Sequence, residues 1–331
     1  MRQRRTEDVR RLYETYSFPQ GVTDADPDFV YASTWYFHFT PAGMAGKRVL
    51  DAGCGTGNKL VAQSIMFQST EFTGVELSNQ SIEQARKLVL KHQRENVILR
   101  QGDILSIDGK EKFDVVQSVG VVHHLEDPRK GLANLCASLN EDGILLIWLY
   151  HPLGEMERLH QREILLTLWG EDQSNLAEGQ ELMDALQLVF NADHYGPKYG
   201  DGKLPYADLE ARADAFMHPI VNAYTFSEAL DMFHAAGADW AAVDFINLRA
   251  DFKLLNLEDE NEPILPGKNV RPSSLFESAV LQERFKKMSK RERLRVVELV
   301  VQPRGYLMIG GKGDSLSHFS KRIQGNHISF R

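Results

Sequence analysis

Residues 49–58 read Val-Leu-Asp-Ala-Gly-Cys-Gly-Thr-Gly-Asn, an apolar strand entry running straight into a glycine-rich turn. No other stretch constrains the fold as tightly. Glycines alternate at Gly53, Gly55 and Gly57, and an acid, Asp51, stands two residues before the first. Glycine adopts positive φ without steric cost and lets a ligand lie against bare backbone. The helical composition of residues 58–67 then points the free N–H groups of a helix start at whatever fills the turn. A dinucleotide fingerprint asks for a glycine at position 58, where the chain has Asn58. The Asp51 carboxylate would repel a pyrophosphate and suits a ligand that carries positive charge.

A second strand over residues 71–75 ends at Glu76, 23 residues after Gly53. A carboxylate there can accept hydrogen bonds from both hydroxyls of a ribose, which fits an adenosine-containing ligand. A third β-prone run at 96–99 leads into Gly102-Asp103-Ile104, and a fourth strand from Phe113 exits through Gly120 and His123-His124-Leu125-Glu126-Asp127-Pro128. Residues 143–149 form a fifth. Helical patterns at 80–93, with Ser78 or Asn79 as cap, and at 129–139 separate them. Strand and helix in alternation predict an α/β fold with a doubly wound, mostly parallel sheet, its ligand at the carboxyl ends of the strands.

As a set, the turn at 51–57, Glu76, Gly102-Asp103 and the segment 113–128 resemble the class I S-adenosylmethionine-dependent methyltransferases. Within them the chain is most similar to the quinone-biosynthesis and natural-product enzymes. The likeness covers residues 40–150, roughly. It implies a Rossmann-like sheet of seven strands and S-adenosyl-L-methionine as cofactor, with S-adenosyl-L-homocysteine as product. It also implies that Gly53, Gly55 and Gly57 hold the methionine part and Glu76, with the neighbouring Leu77, the ribose. Gly102, Asp103 and Ile104 would take the adenine, Asp103 at its amino group. Ser118 and Gly120 line the floor, and Asp51 faces the cofactor's amino group directly or through water.

The closing elements come late. A helix capped at Thr225 or Ser227 carries Ala229, Leu230, Phe233 and Ala236 on one face and stops at Gly237. Residues 241–246 read as strand six and 305–311 as strand seven, antiparallel beside it as the resemblance implies. Two long connections interrupt this plan, about 75 residues after strand five and about 57 between strands six and seven. Connections of that length need structure of their own. Helical patterns occupy 156–169 and 176–190 in the first and 274–288 and 290–301 in the second.

The expected organisation is therefore an N-terminal helical lid segment at 1–40, a cofactor-binding core at 41–150 and a helical cap insertion at 151–224. Core helix and strand six follow at 225–247, a second helical insertion at 248–303, strand seven at 304–314 and a tail at 315–331. All the inserted helices and residues 6–16 are expected to roof the sheet's carboxyl edge, excluding water and fixing the line of attack. The alternative use of the insertions is homo-oligomerisation through the apolar residues 164–169.

A net charge of −8 argues against a nucleic-acid substrate, which calls for a basic surface. The clusters at 2–11 and 285–295 read as solvated helix faces. The two cysteines, Cys54 and Cys136, make no disulfide framework, and no apolar run is long enough to span a membrane, so a cytoplasmic location is expected. The anticipated partner is a small-molecule acceptor. RNA or protein acceptors, and a non-catalytic cofactor-binding module, are the other readings. His123 and His124 are the candidate general bases, since a histidine near neutral pKa takes the proton of a hydroxyl or amine. Tyr16, His151, Tyr195, His218 and Tyr224 are candidates for contacting the acceptor. His123, His124, Glu126 and Asp127, so close together in one loop, seldom converge on one ion, so no metal is expected.

Overall fold

A computed structural model describes residues 2–18, 41–189, 209–244, 254–259 and 271–315. Tyr195, residues 245–246 and the tail beyond Ser315 lie outside the described residues.

Strands β1 (Arg48–Ala52), β2 (Glu71–Glu76), β3 (Val97–Gln101), β4 (Phe113–Val119) and β5 (Leu139–Tyr150) pair in parallel, and β6 (Trp240–Asp244), β7 (Leu254–Asn256) and β8 (Gly305–Gly311) extend them antiparallel. The sheet order is β3-β2-β1-β4-β5-β8-β6-β7. The sheet has eight strands, one more than the seven expected. The extra one, β7, is a three-residue edge strand whose Leu254 and Leu255 are both buried. A run so short and without alternation carries no period to read.

Alternation along the inner strands splits the core into two faces. Leu50, Val116, Leu145, Ile147 and Leu149 join one apolar cluster; Val49, Val115, Ile144 and Leu146 join the other. On the second face lie α2 (Asn58–Met66) through Leu60 and α3 (Asn79–Lys91) through Ile82. The first face is covered by α4 (Pro128–Ala137) through Leu132 and Leu135. Ser78 is the residue that caps α3, its side chain accepting from the Ser81 N–H.

The two insertions go to different places. The first supplies α5 (Met156–Trp169), α6 (Leu176–Ala185) and a short helical stretch, Leu209–Arg212, that widens into a π-turn over Ala213–Met217. With α1 (Arg2–Thr15) these build a separate apolar cluster of Leu12, Tyr16, Leu165, Trp169, Met183 and Phe216. Of the apolar residues at 164–169, Leu165 and Trp169 are consumed by this cluster, while Ile164 and Leu168 stay exposed.

The second insertion does not join that cluster. Its helices α8 (Ala279–Lys286) and α9 (Lys290–Val301) bring Phe285, Leu294 and Val297 into the sheet's first face beside α7 (Phe226–Ala236). Thr225 caps α7 in a reciprocal box with Glu228, and Gly237 ends it at φ 93°. The Glu298 carboxylate on α9, 2 % exposed, accepts from the Phe226 N–H at 2.5 Å and lies 3.4 Å from His151 Nε2. That contact pins the second insertion to the start of α7. Glu298→Ala should cost about 1–3 kcal/mol, the penalty for stranding a buried donor. Urea unfolding followed by circular dichroism measures it.

Candidate functional site

The glycine turn folds back on β2. Gly53 and Cys54 donate their N–H groups to the Val75 carbonyl at 2.8 and 3.1 Å. Gly53 sits at φ 83°, and a Cβ there would lie 2.5 Å from Val121 Cγ2, so only glycine lets the β4 exit loop close on the turn. Gly57 caps α2 at φ 83°, and a Cβ there would lie 2.7 Å from the Ala85 methyl.

Glu76 ends β2 with its carboxylate buried. One oxygen accepts from the Gly55 N–H at 2.9 Å, the other from the Ser78 N–H at 2.8 Å. Burial pushes its pKa up, and those N–H groups pull it back down. Asp51 is 5 % exposed, and burial raises it to about 7 against the opposing pull of Lys59 and Gln117. Asp103 caps a 3₁₀ turn at Ile104–Ser106, accepting from the Leu105 N–H at 2.8 Å. Gly102 donates its N–H to the Glu76 carbonyl, and Leu77 follows directly. Gly120, at φ 79°, has open space where a side chain would stand, whereas the Ser118 hydroxyl is spent on the Ala52 carbonyl at 2.7 Å.

Helix α1 crosses above this edge. At its start Thr6 Oγ1 donates to Glu126 Oε2, beyond β4, at 2.9 Å. Near its end the Glu14 carboxylate accepts from the Asn79 and Gln80 N–H groups at 2.6 and 3.2 Å, where α3 begins beyond β2. Because β1 lies between β2 and β4, a helix tied at those two points passes over the glycine turn.

Under α1 lies a cluster of rings. His124 and His218 have centroids 3.9 Å apart at 30°, His123 is 4.2 Å from His124 and 4.0 Å from Tyr150, and Tyr13 is 5.6 Å from His218. Tyr13 donates to Asp214 Oδ1 at 2.7 Å. The Arg158 guanidinium stands 4.4 Å from the Tyr150 ring centroid, is paired with Glu155 and donates to the Ala215 carbonyl. Burial lowers all three histidines, His124 to about 3, with Arg158 adding to the effect on His123 and His124. Each is therefore neutral at ordinary pH. Asp214 is raised to about 6 by burial.

Of the residues picked from sequence, the structure brings His123, His124 and His218 together. His151 is elsewhere, its ring against Phe226 and Tyr306. Tyr16 belongs to the α1 cluster, its hydroxyl donating to Gln180. Tyr224 donates its N–H to the Tyr150 carbonyl, and burial raises its hydroxyl to about 12. Tyr13, Tyr150, Arg158 and Ile220 were not read from sequence. Tyr13 precedes Tyr16 by three residues and was available as a signal. The others depend on how the insertion folds back.

A family described as a methyltransferase domain matches residues 44–194. That stretch is similar to a methyltransferase domain. Its cofactor is S-adenosyl-L-methionine, as the glycine turn and Glu76 imply. An uncharacterized protein of Synechococcus sp. is 28 % identical over 314 residues, covering 89 % of this chain and 69 % of that protein. A ubiquinone biosynthesis O-methyltransferase of Actinobacillus pleuropneumoniae is 31 % identical over 31 % of this chain and 45 % of its own length. Among solved structures, PKMT2 of Rickettsia typhi superposes with a TM-score of 0.56 at 17 % identity, covering 88 % of this chain and 54 % of PKMT2. That likeness shows the fold. The chain thus spans about half the length of these last two proteins.

The residues present fit the cofactor. Two buried carboxylates, Asp51 and Glu76, stand at the ends of adjacent strands, and an ammonium and a ribose diol are the groups that would satisfy them. Asp51 and the turn would hold the methionine part, Glu76 the ribose. With its pKa near 7, Asp51 loses its charge as pH falls through that value, and with it the attraction to an ammonium. Affinity for S-adenosyl-L-homocysteine should accordingly drop between pH 8 and 6. Asp51→Asn should weaken binding about 10- to 100-fold, the worth of a charge-assisted hydrogen bond, and flatten that pH dependence; calorimetry reads both.

Proposed function

We propose that the protein transfers the methyl group of S-adenosyl-L-methionine to a small molecule held beneath α1, facing His124. The observation that carries this reading is the helix tied at Thr6–Glu126 and Glu14–Asn79 across the strand ends, over a buried set of histidine and tyrosine rings. A site roofed in this way favours an acceptor small enough to be enclosed. Enclosure excludes water and fixes the attack line, the main contributions available to a protein in methyl transfer. The net charge of −8 also disfavours a polyanionic acceptor.

Asp51, the turn at 53–57, Glu76, Asp103 and Gly120 are assigned to the cofactor in this reading, His124 and His218 to the acceptor. His123, whose carbonyl accepts from both Asn222 nitrogens, supports the loop from behind.

Incubating the full chain with tritiated S-adenosyl-L-methionine and a size-fractionated lysate tests the assignment. Label is expected in the low-mass fraction. Label confined to nuclease- or protease-sensitive material would replace it with a macromolecular acceptor. The roof has its own test. Glu14→Ala removes the tie to α3, worth about 1 kcal/mol for a carboxylate at a helix start. Release of S-adenosyl-L-homocysteine in stopped flow should quicken by about fivefold.

A further inference from the structure

Resting on that reading of the site, we infer that the methyl acceptor is a hydroxyl oxygen, gripped between His124 Nε2 and His218 Nε2. The argument begins with one residue. Ile220 hydrogen-bonds both rings through its own backbone: its carbonyl lies 2.7 Å from His124 Nδ1, and its N–H donates to His218 Nδ1 at 3.1 Å. A carbonyl only accepts, so His124 carries its proton on Nδ1 and leaves Nε2 as a bare lone pair. An N–H only donates, so Nδ1 of His218 is the lone pair and the proton sits on Nε2. Both Nε2 atoms are buried and without a hydrogen-bond partner among the described residues. Two rings 3.9 Å apart therefore present one acceptor and one donor.

Buried polar atoms of this kind call for a ligand group that donates once and accepts once. Counting lone pairs then separates oxygen from nitrogen and carbon acceptors, and a thiol, with the same count, is too weak a donor and acceptor to satisfy the two rings. A hydroxyl has one hydrogen and two lone pairs: the hydrogen goes to His124, one pair takes the His218 N–H, and one pair remains to attack carbon. A neutral amine has a single lone pair. If that pair accepts from His218, nothing is left for the methyl group; an ammonium has none at all. The Arg158 and Arg162 guanidinium groups, which bear on these histidines, repel an ammonium as well. A carbon acceptor has nothing to give His124.

The step balances. The oxygen–carbon bond forms as the carbon–sulfur bond breaks, the electron pair of that bond stays on sulfur as a neutral thioether, and the hydroxyl proton passes to His124 Nε2. That proton becomes strongly acidic only as the oxygen takes on positive charge, so a weakly basic imidazole is sufficient to receive it. Neutrality of both rings before reaction keeps the two tautomers distinct.

Imidazole ¹⁵N NMR of the full chain tests the pair, with His124→Gln and His218→Gln assigning the two side chains by loss of signal. The expected spectra place the proton on Nδ1 of His124 and Nε2 of His218, both rings staying neutral down to about pH 6. The opposite tautomer at either residue overturns the inference. With S-adenosyl-L-homocysteine bound, phenol should move both Nε2 resonances with a Kd roughly tenfold lower than aniline, one hydrogen bond's difference. Equal binding of aniline, or no response to either probe, rejects the oxygen assignment. The same samples, titrated with S-adenosyl-L-homocysteine alone, separate the two levels. No binding ends the methyltransferase reading as well, whereas normal binding with reversed tautomers ends only the histidine grip.

Discussion

The Glu76 carboxylate holds the site together. Its two oxygens take N–H groups from opposite sides, Gly55 in the glycine turn after β1 and Ser78 at the start of α3. One buried charge thus fixes the turn, the end of β2 and the next helix in a single arrangement. Backbone donors offset the cost of keeping that charge out of water, and the oxygens retain lone pairs for a ligand. The roof is built on the same spot, since Glu14 of α1 caps the helix that Ser78 opens.

Beneath the roof, burial decides the chemistry. An exposed histidine exchanges protons near neutral pH, but desolvation holds His123, His124 and His218 neutral. The expectation that a histidine here acts as a base poised near neutrality meets an imidazole lowered to about 3. Fixed hydrogen bonds from Ile220 give these rings direction instead of charge. The insertion that brings His218 and Ile220 to the β4 exit loop is thereby part of the site, although its own apolar cluster is separate from the sheet's core.

Much of the frame was legible along the chain. The runs ending at Asp51, Glu76 and Gly120 are largely apolar without alternation, as in strands buried on both faces, and the order of strand and helix narrows the topology to a few. Thr225 with Glu228, and Gly237 eleven residues after Phe226, mark α7 from both ends. Three residues of β7 left no such mark. Nor did the parting of the two insertions: the amphipathic stripes of α5 and α9 look alike in sequence, yet one joins Leu12 and the other joins Phe226. An apolar stripe states that a helix buries a face and does not name the surface it covers.

By itself the sequence determined the parallel strands, the glycine turn and the standing of Asp51 and Glu76 at two strand ends, because those depend on spacing within one strand–turn–helix unit. The tertiary structure alone decided that His124 meets His218 across 94 residues, that Tyr13 and Arg158 border them, and that His151 does not. Which rings share a site, and which nitrogen of each keeps its proton, follows from long-range packing and from the carbonyl or N–H that packing supplies. Local sequence carries no record of either.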